Sequence, residues 1–109
     1  MENQTYSEIT PALITDWKAK YGEKSLSLAT VKNADGDEFK FVLKKPNRST
    51  LEAIAKAKDD SERINKLLLS NCVLGGDTYI FEQDGSVYLE VLTQIGKLSG
   101  KAETEVKKL

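Results

Sequence analysis

Asn33-Ala34-Asp35-Gly36-Asp37-Glu38 sets oxygen-bearing side chains at alternate positions, the pattern by which a loop wraps a calcium ion. An EF-hand loop counted from Asn33 needs glycine sixth and a bidentate glutamate twelfth, and Glu38 and Lys44 stand there instead. The expectation is a hairpin turn with solvated acids. Gly96-Lys97-Leu98-Ser99-Gly100-Lys101 touches the phosphate-loop pattern only at its last Gly-Lys pair. Ile95 replaces the first glycine, Ala102 replaces the hydroxyl residue that would meet magnesium, and no strand precedes it. That segment reads as a helix C-terminus with Gly100 just beyond it and lysines near the negative end of the dipole. Gly75-Gly76-Asp77 could form an anion nest, but Asp77 would repel the anion. A tight reversal with Asp77 capping the next segment is expected there.

Cys72 is the single cysteine, and the chain has no histidine. A Cys–His pair and a His-type serine triad are therefore impossible. Cys72 falls on an apolar stripe with Ile64 and Leu68, which marks it as a buried packing residue. Paired-carboxylate chemistry stays open, since acids are plentiful, although 109 residues leave little room for a deep pocket beside a core. Phe39 and Phe41 alternate with Lys40, as an RNA-stacking sheet would, yet their neighbours across the hairpin point to core. No catalytic, cofactor or metal residue is assigned.

The elements that position these residues follow from periodicity. Thr10-Pro11 starts a helix over 11–21, with Leu13, Trp17 and Tyr21 on one face and Gly22 at its end. Residues 25–31 and 38–44 alternate as two strands around Asn33-Ala34-Asp35-Gly36, read as a four-residue turn. Pairing Lys32 with Asp37 sets Thr30 opposite Phe39, Leu28 opposite Phe41 and Leu26 opposite Leu43, with the Trp17 face of the first helix as their cover. Ser49-Thr50-Leu51-Glu52 has the form of a capping box for a short helix to Lys58. Asp59-Asp60-Ser61 breaks it and caps a helix over 61–73, stopped by Gly75-Gly76. Asp77 to Gln83 fits either a helical turn or an extended stretch. Asp84 caps a helix over 85–98, and 101–109 keeps a weak helical period. The fold class is α+β: an N-terminal helix and antiparallel β-hairpin, then a mainly helical C-terminal half. Residues 1–9 read as a flexible arm and 10–109 as one small domain.

Composition narrows the function classes. Thirty-nine per cent apolar residues supply one modest core, and 16 basic against 17 acidic residues give a net charge of −1. No polybasic face suggests a nucleic-acid cradle, and residues 72–99 carry one basic residue against four acidic. No strictly apolar run exceeds three residues, as in Leu67-Leu68-Leu69, far short of the roughly 20 that a membrane span needs. Residues 1–5 show neither the basic start nor the apolar run of a signal peptide, and one thiol makes no internal disulfide, so a cytoplasmic protein is expected.

One segment order is familiar. Phe41-Val42-Leu43-Lys44-Lys45-Pro46-Asn47-Arg48 leads a strand through Lys-Pro into a helix rich in lysine and alanine. An Asp-led helix ending Leu67-Leu68-Leu69-Ser70-Asn71-Cys72-Val73 follows, then Gly75-Gly76-Asp77, an amphipathic helix closing at Leu98-Ser99-Gly100, and a Glu/Lys tail. Over roughly residues 39–109 this order resembles the small tail assembly chaperones of tailed phages and prophages. The resemblance implies a non-enzymatic protein of the bacterial host cytoplasm, which binds the tape measure protein and keeps it soluble during tail assembly. It also implies self-association into a homo-oligomer. The implied partner-binding residues lie in the helical half: Leu67, Tyr79, Phe81 and Tyr88, flanked by Asp77, Glu82 and Asp84. The alternative is a small bacterial or phage adaptor or regulatory domain acting through protein–protein contacts, with the hairpin edge as a dimer seam.

Overall fold

Leu26–Lys32 (β1) and Glu38–Lys44 (β2) pair antiparallel in a computed structural model that describes residues 4–100 and 102–109. The register differs by one residue from the expected pairing: Val31 faces Phe39, Ala29 faces Phe41 and Ser27 faces Leu43. The cause is the turn. Asn33 N–H donates to the Asp37 carbonyl at 3.0 Å, leaving Ala34-Asp35-Gly36 as a three-residue loop with Gly36 at φ 86°. That is the type I turn plus left-handed glycine that ordinarily closes a three-residue hairpin. Because side chains alternate, the one-residue slip moves Leu26, Leu28 and Thr30 to the opposite face from Phe39 and Phe41. Leu28 is 54% exposed as a result.

A third strand completes the sheet. Val73–Gly76 (β3) pairs antiparallel with β2, giving the sheet order β1-β2-β3. Phe41 pairs with Gly76 and Leu43 with Val73, with a bulge between Val42 and Leu43. Gly75-Gly76 is therefore sheet rather than a helix stop. Gly76 sits at φ 135°, and a Cβ there would lie 2.3 Å from the Lys40 carbonyl oxygen. Only glycine lets the two backbones approach this closely.

The core lies on one face of this sheet. Val31, Phe39, Phe41 and Leu43 meet Cys72, Val73, Ile80, Val87, Val91 and Ile95. The helices that cover it are Ser61–Cys72 (α3) and Gly85–Leu98 (α4), together with the 3₁₀ helix Thr78–Glu82. Arg48–Ala57 (α2) packs mainly on α3. Pro11–Tyr21 (α1) takes the other face instead of covering the Phe39 face: it buries no residue, and its Ile14 and Lys18 share a depression with Leu26, Leu28 and Val42.

Helix starts follow capping chemistry. Thr10 accepts from Leu13 N–H, Asp60 from Arg63 N–H, and Asp84 from Ser86 and Val87 N–H. At α2 the cap is Asn47 rather than Ser49: its Oδ1 accepts from Thr50 N–H at 2.9 Å and from Thr50 Oγ1 at 3.0 Å. Asparagine caps as well as serine does, so the helix begins two residues early. Glu52 instead pairs with Arg48 at 2.9 Å. Gly100, at φ 59°, follows α4 as expected, with its N–H on the Lys97 carbonyl. Residues 102–109 form no helix, since a short segment without a packing surface does not hold one in water. Lys101 of the phosphate-loop reading and residues 1–3 of the arm lie outside the described residues. Gln4–Ile9 are docked: Tyr79 N–H donates to the Gln4 carbonyl at 3.3 Å, and Tyr6–Glu8 form a 3₁₀ turn.

Gly76→Ala is expected to destabilise the protein by about 2–4 kcal/mol through forced backbone separation. Gly96→Ala, inside α4 with nothing near its Cβ position, is expected to stabilise by about 1 kcal/mol. Urea unfolding of both variants checks the pair of opposite signs.

Candidate functional site

Of the residues implied by the resemblance, Tyr79, Phe81 and Glu82 border one depression and Tyr88 packs on Phe81, while Leu67 lies elsewhere. Phe81 lies between Phe41, stacked at 5.2 Å, and Tyr88, edge-on at 5.9 Å. Tyr79 is 42% exposed and meets Phe39 edge-on at 6.4 Å. These rings extend the core outward from β2. Asp77 is a backbone clamp and not a helix cap: its Oδ1 accepts from Tyr6 N–H at 2.7 Å and its Oδ2 from Lys40 N–H at 2.8 Å. Asp84 caps α4, accepts from Ser86 Oγ at 2.6 Å, and receives Asn33 Nδ2 at 3.3 Å. Glu82 is exposed beside Tyr79. Leu67 stands apart on α3, in a shallow depression with Arg63, Lys66, Leu69 and Ser70.

The candidate calcium loop is a hydrogen-bonded turn. Asn33 Oδ1 accepts from Asp35 N–H at 3.1 Å and Asp37 N–H at 3.0 Å, so this oxygen is already occupied. Among the described residues, no three acid or thiol side chains converge as a metal site. Cys72 is 0% exposed. Burial pushes its thiol up, partly opposed by the Lys44 ammonium, so the nucleophilic thiolate is suppressed.

A different site emerges at β1, which among the described residues pairs with β2 alone. Asn33 N–H bonds the Asp37 carbonyl and Lys45 N–H bonds the Ser25 carbonyl, so the odd-numbered residues of this ladder are the hydrogen-bonded pairs. The N–H and C=O groups of Leu28, Thr30 and Lys32 therefore point away from β2, and none has a protein partner among the described residues. A depression flanks this edge on each face. One, of about 620 Å³, lies between β1 and α4 and includes Ala29, Val31, Glu90 and Gln94. The other, of about 340 Å³, includes Tyr6, Ile14, Leu28 and Val42. An incoming extended chain would find alternate donors and acceptors along β1, and room for its alternating side chains on both faces. Alternation in residues 25–31 marks the strand, but the free edge needs the sheet order, which depends on β3.

Two measurements check this geometry. Native Cys72 is expected to resist a thiol reagent and to react fully in denaturant. Asp84's carboxyl is held below its ordinary value, chiefly by the Ser86 hydroxyl and also by Asn33 and the α4 N–H groups. The folded form thus binds this proton more weakly than the unfolded form. Its contribution is complete above the ordinary carboxylate range and disappears as pH falls through the lowered value. Asp84→Asn keeps a capping oxygen without the charge. The stability gap between the original protein and this variant should shrink on acidification from neutral pH, as read by urea unfolding at several pH values.

Compared with protein-family models, curated proteins and solved structures, the chain matches none.

Proposed function

We propose that this chain is a non-enzymatic protein-binding module and works in phage or prophage tail assembly as a chaperone. In this reading it binds the tape measure protein in the bacterial cytoplasm and keeps it soluble. The partner's identity comes from the segment order over residues 39–109. The observation that supports binding is the open edge of β1, with unpaired backbone groups at Leu28, Thr30 and Lys32 between two depressions. An exposed edge of seven residues is a template for another strand, and proteins ordinarily cover or blunt such edges. This moves the binding surface from the helical half to the hairpin.

The same edge favours a second reading, an adaptor domain that self-associates by pairing β1 with β1 of another copy. Among the described residues, no helix is long and apolar enough to cross a membrane.

Thr30→Pro separates the outcomes. Its N–H faces outward, so proline removes an edge donor without removing a bond to β2. The original chain should co-purify with tape measure fragments and raise their solubility, and Thr30→Pro should keep the native circular dichroism yet lose both effects. Equal binding by the variant would remove β1 as the site, and no binding by the original chain would remove the chaperone reading. A mass in solution that doubles with concentration, and stays monomeric in Thr30→Pro, would establish the second copy as the occupant.

A further inference from the structure

Lys44 is 8% exposed, and among the described residues its ammonium has no acid and no hydrogen-bond acceptor. Lysine is seldom this buried unless paired. What it has is the face of Tyr21, 4.7 Å from Nζ to the ring centre, and Lys20 lies 5.1 Å from the same ring. No fully buried side-chain nitrogen lacks a partner among the described residues, so the Lys44 ammonium keeps an opening to solvent. It lines a depression of about 430 Å³ with Lys20, Tyr21, Ser25, Lys45 and Asn47, bounded also by Pro46. Three lysines border this space, and among the described residues no carboxylate does.

The neighbouring donors point the same way. Asn47 Oδ1 is occupied by Thr50, which leaves its amide NH₂ without an acceptor among the described residues. Asn47 also caps the ten-residue α2, whose Arg48 and Ser49 N–H groups precede the first bonds of the helix. A helix N-terminus carries partial positive charge and free donors. Ser25 contributes no donor, since its hydroxyl already donates to the Tyr21 and Gly22 carbonyls at 2.6 and 2.9 Å. It fixes the wall of the site.

We propose that this depression binds a phosphate group, with Lys44 at its floor, Lys20 and Lys45 at its rim, and Asn47 and the start of α2 as neutral donors. A phosphate dianion balances several converging ammonium groups better than a single carboxylate does, and lysine meets it as a point charge. None of these residues lines the two depressions at β1, so the site is separate from the proposed partner edge.

The test is titration of the full chain with inorganic phosphate, pyrophosphate and a nucleoside triphosphate, with acetate at matched ionic strength as control, read by amide NMR shifts. Saturable shifts at Lys45, Asn47 and Ser49 with phosphate or pyrophosphate, and none with acetate, are expected. Lys44→Gln should weaken binding at least tenfold. Lys20→Gln/Lys45→Gln, both exposed positions, should weaken it similarly and keeps the test decisive if Lys44→Gln fails to fold. Lys66→Gln on α3 should change nothing. Tighter binding of the triphosphate than of pyrophosphate would assign the phosphate to a nucleotide, and equal binding to a free anion. Absence of saturable shifts, equal binding by the double variant, or equal shifts with acetate would overturn the site.

Discussion

Burial of β2 on both faces is the constraint that the rest of the chain satisfies. Phe41, Val42, Leu43 and Lys44 are consecutive buried residues, so their side chains alternate between two sides and both must be covered. On the Phe41 side the cover is a conventional core of α3, α4 and the Thr78–Glu82 turn. On the Val42 side it is thin: Tyr6 lies over Lys40 at 5.5 Å, Tyr21 over Lys44, and α1 contributes only half-buried residues. Much of what is unusual in the molecule lies on this thinner side, including the exposed Leu28 and the lysine cluster. β3 completes the main-chain pairing of β2, and Gly76 is the residue that allows its close approach.

The elements that could be read from the residues are those specified locally. Thr10, Asp60 and Asp84 mark helix starts because a cap is a contact over two or three positions, and the apolar period of α4 is kept at Val87, Val91 and Ile95, while on α3 Cys72 is buried and Leu68 and Leu69, rather than Leu67, pack on the core. The strands were legible from alternation, but their register was not. Asn33-Ala34-Asp35-Gly36 admits both a four-residue and a three-residue loop, and the choice is made by Asn33 bonding to Asp35 and Asp37. β3 was hidden because four residues ending in two glycines carry too little pattern to announce a strand. Its formation depends on the β2 edge, a partner some 30 residues back in the chain.

The same distinction explains the site residues. Tyr79, Phe81 and Tyr88 stand out on the linear sequence, but nothing local says that Phe39 and Phe41 come to meet Tyr79 and Phe81 from the sheet. Asp77 looks like a cap because it precedes a helical turn, while its carboxylate in fact completes main-chain bonding between two distant segments. Conversely, no periodicity separates Leu28, Thr30 and Lys32 from their neighbours as carriers of free backbone groups. That property belongs to sheet order. Lys44 reads as an ordinary strand-end lysine, and its burial depends on Tyr21 arriving from another element.

The bond between Tyr6 and Asp77 spans 71 positions. During synthesis the first turn therefore leaves the ribosome long before its acceptor does. The hairpin and α1 can form while Tyr6 waits, and the N-terminal strap closes over Lys40 only once Gly76 and Asp77 have emerged. The bond can close only after the residues of the third strand have been made.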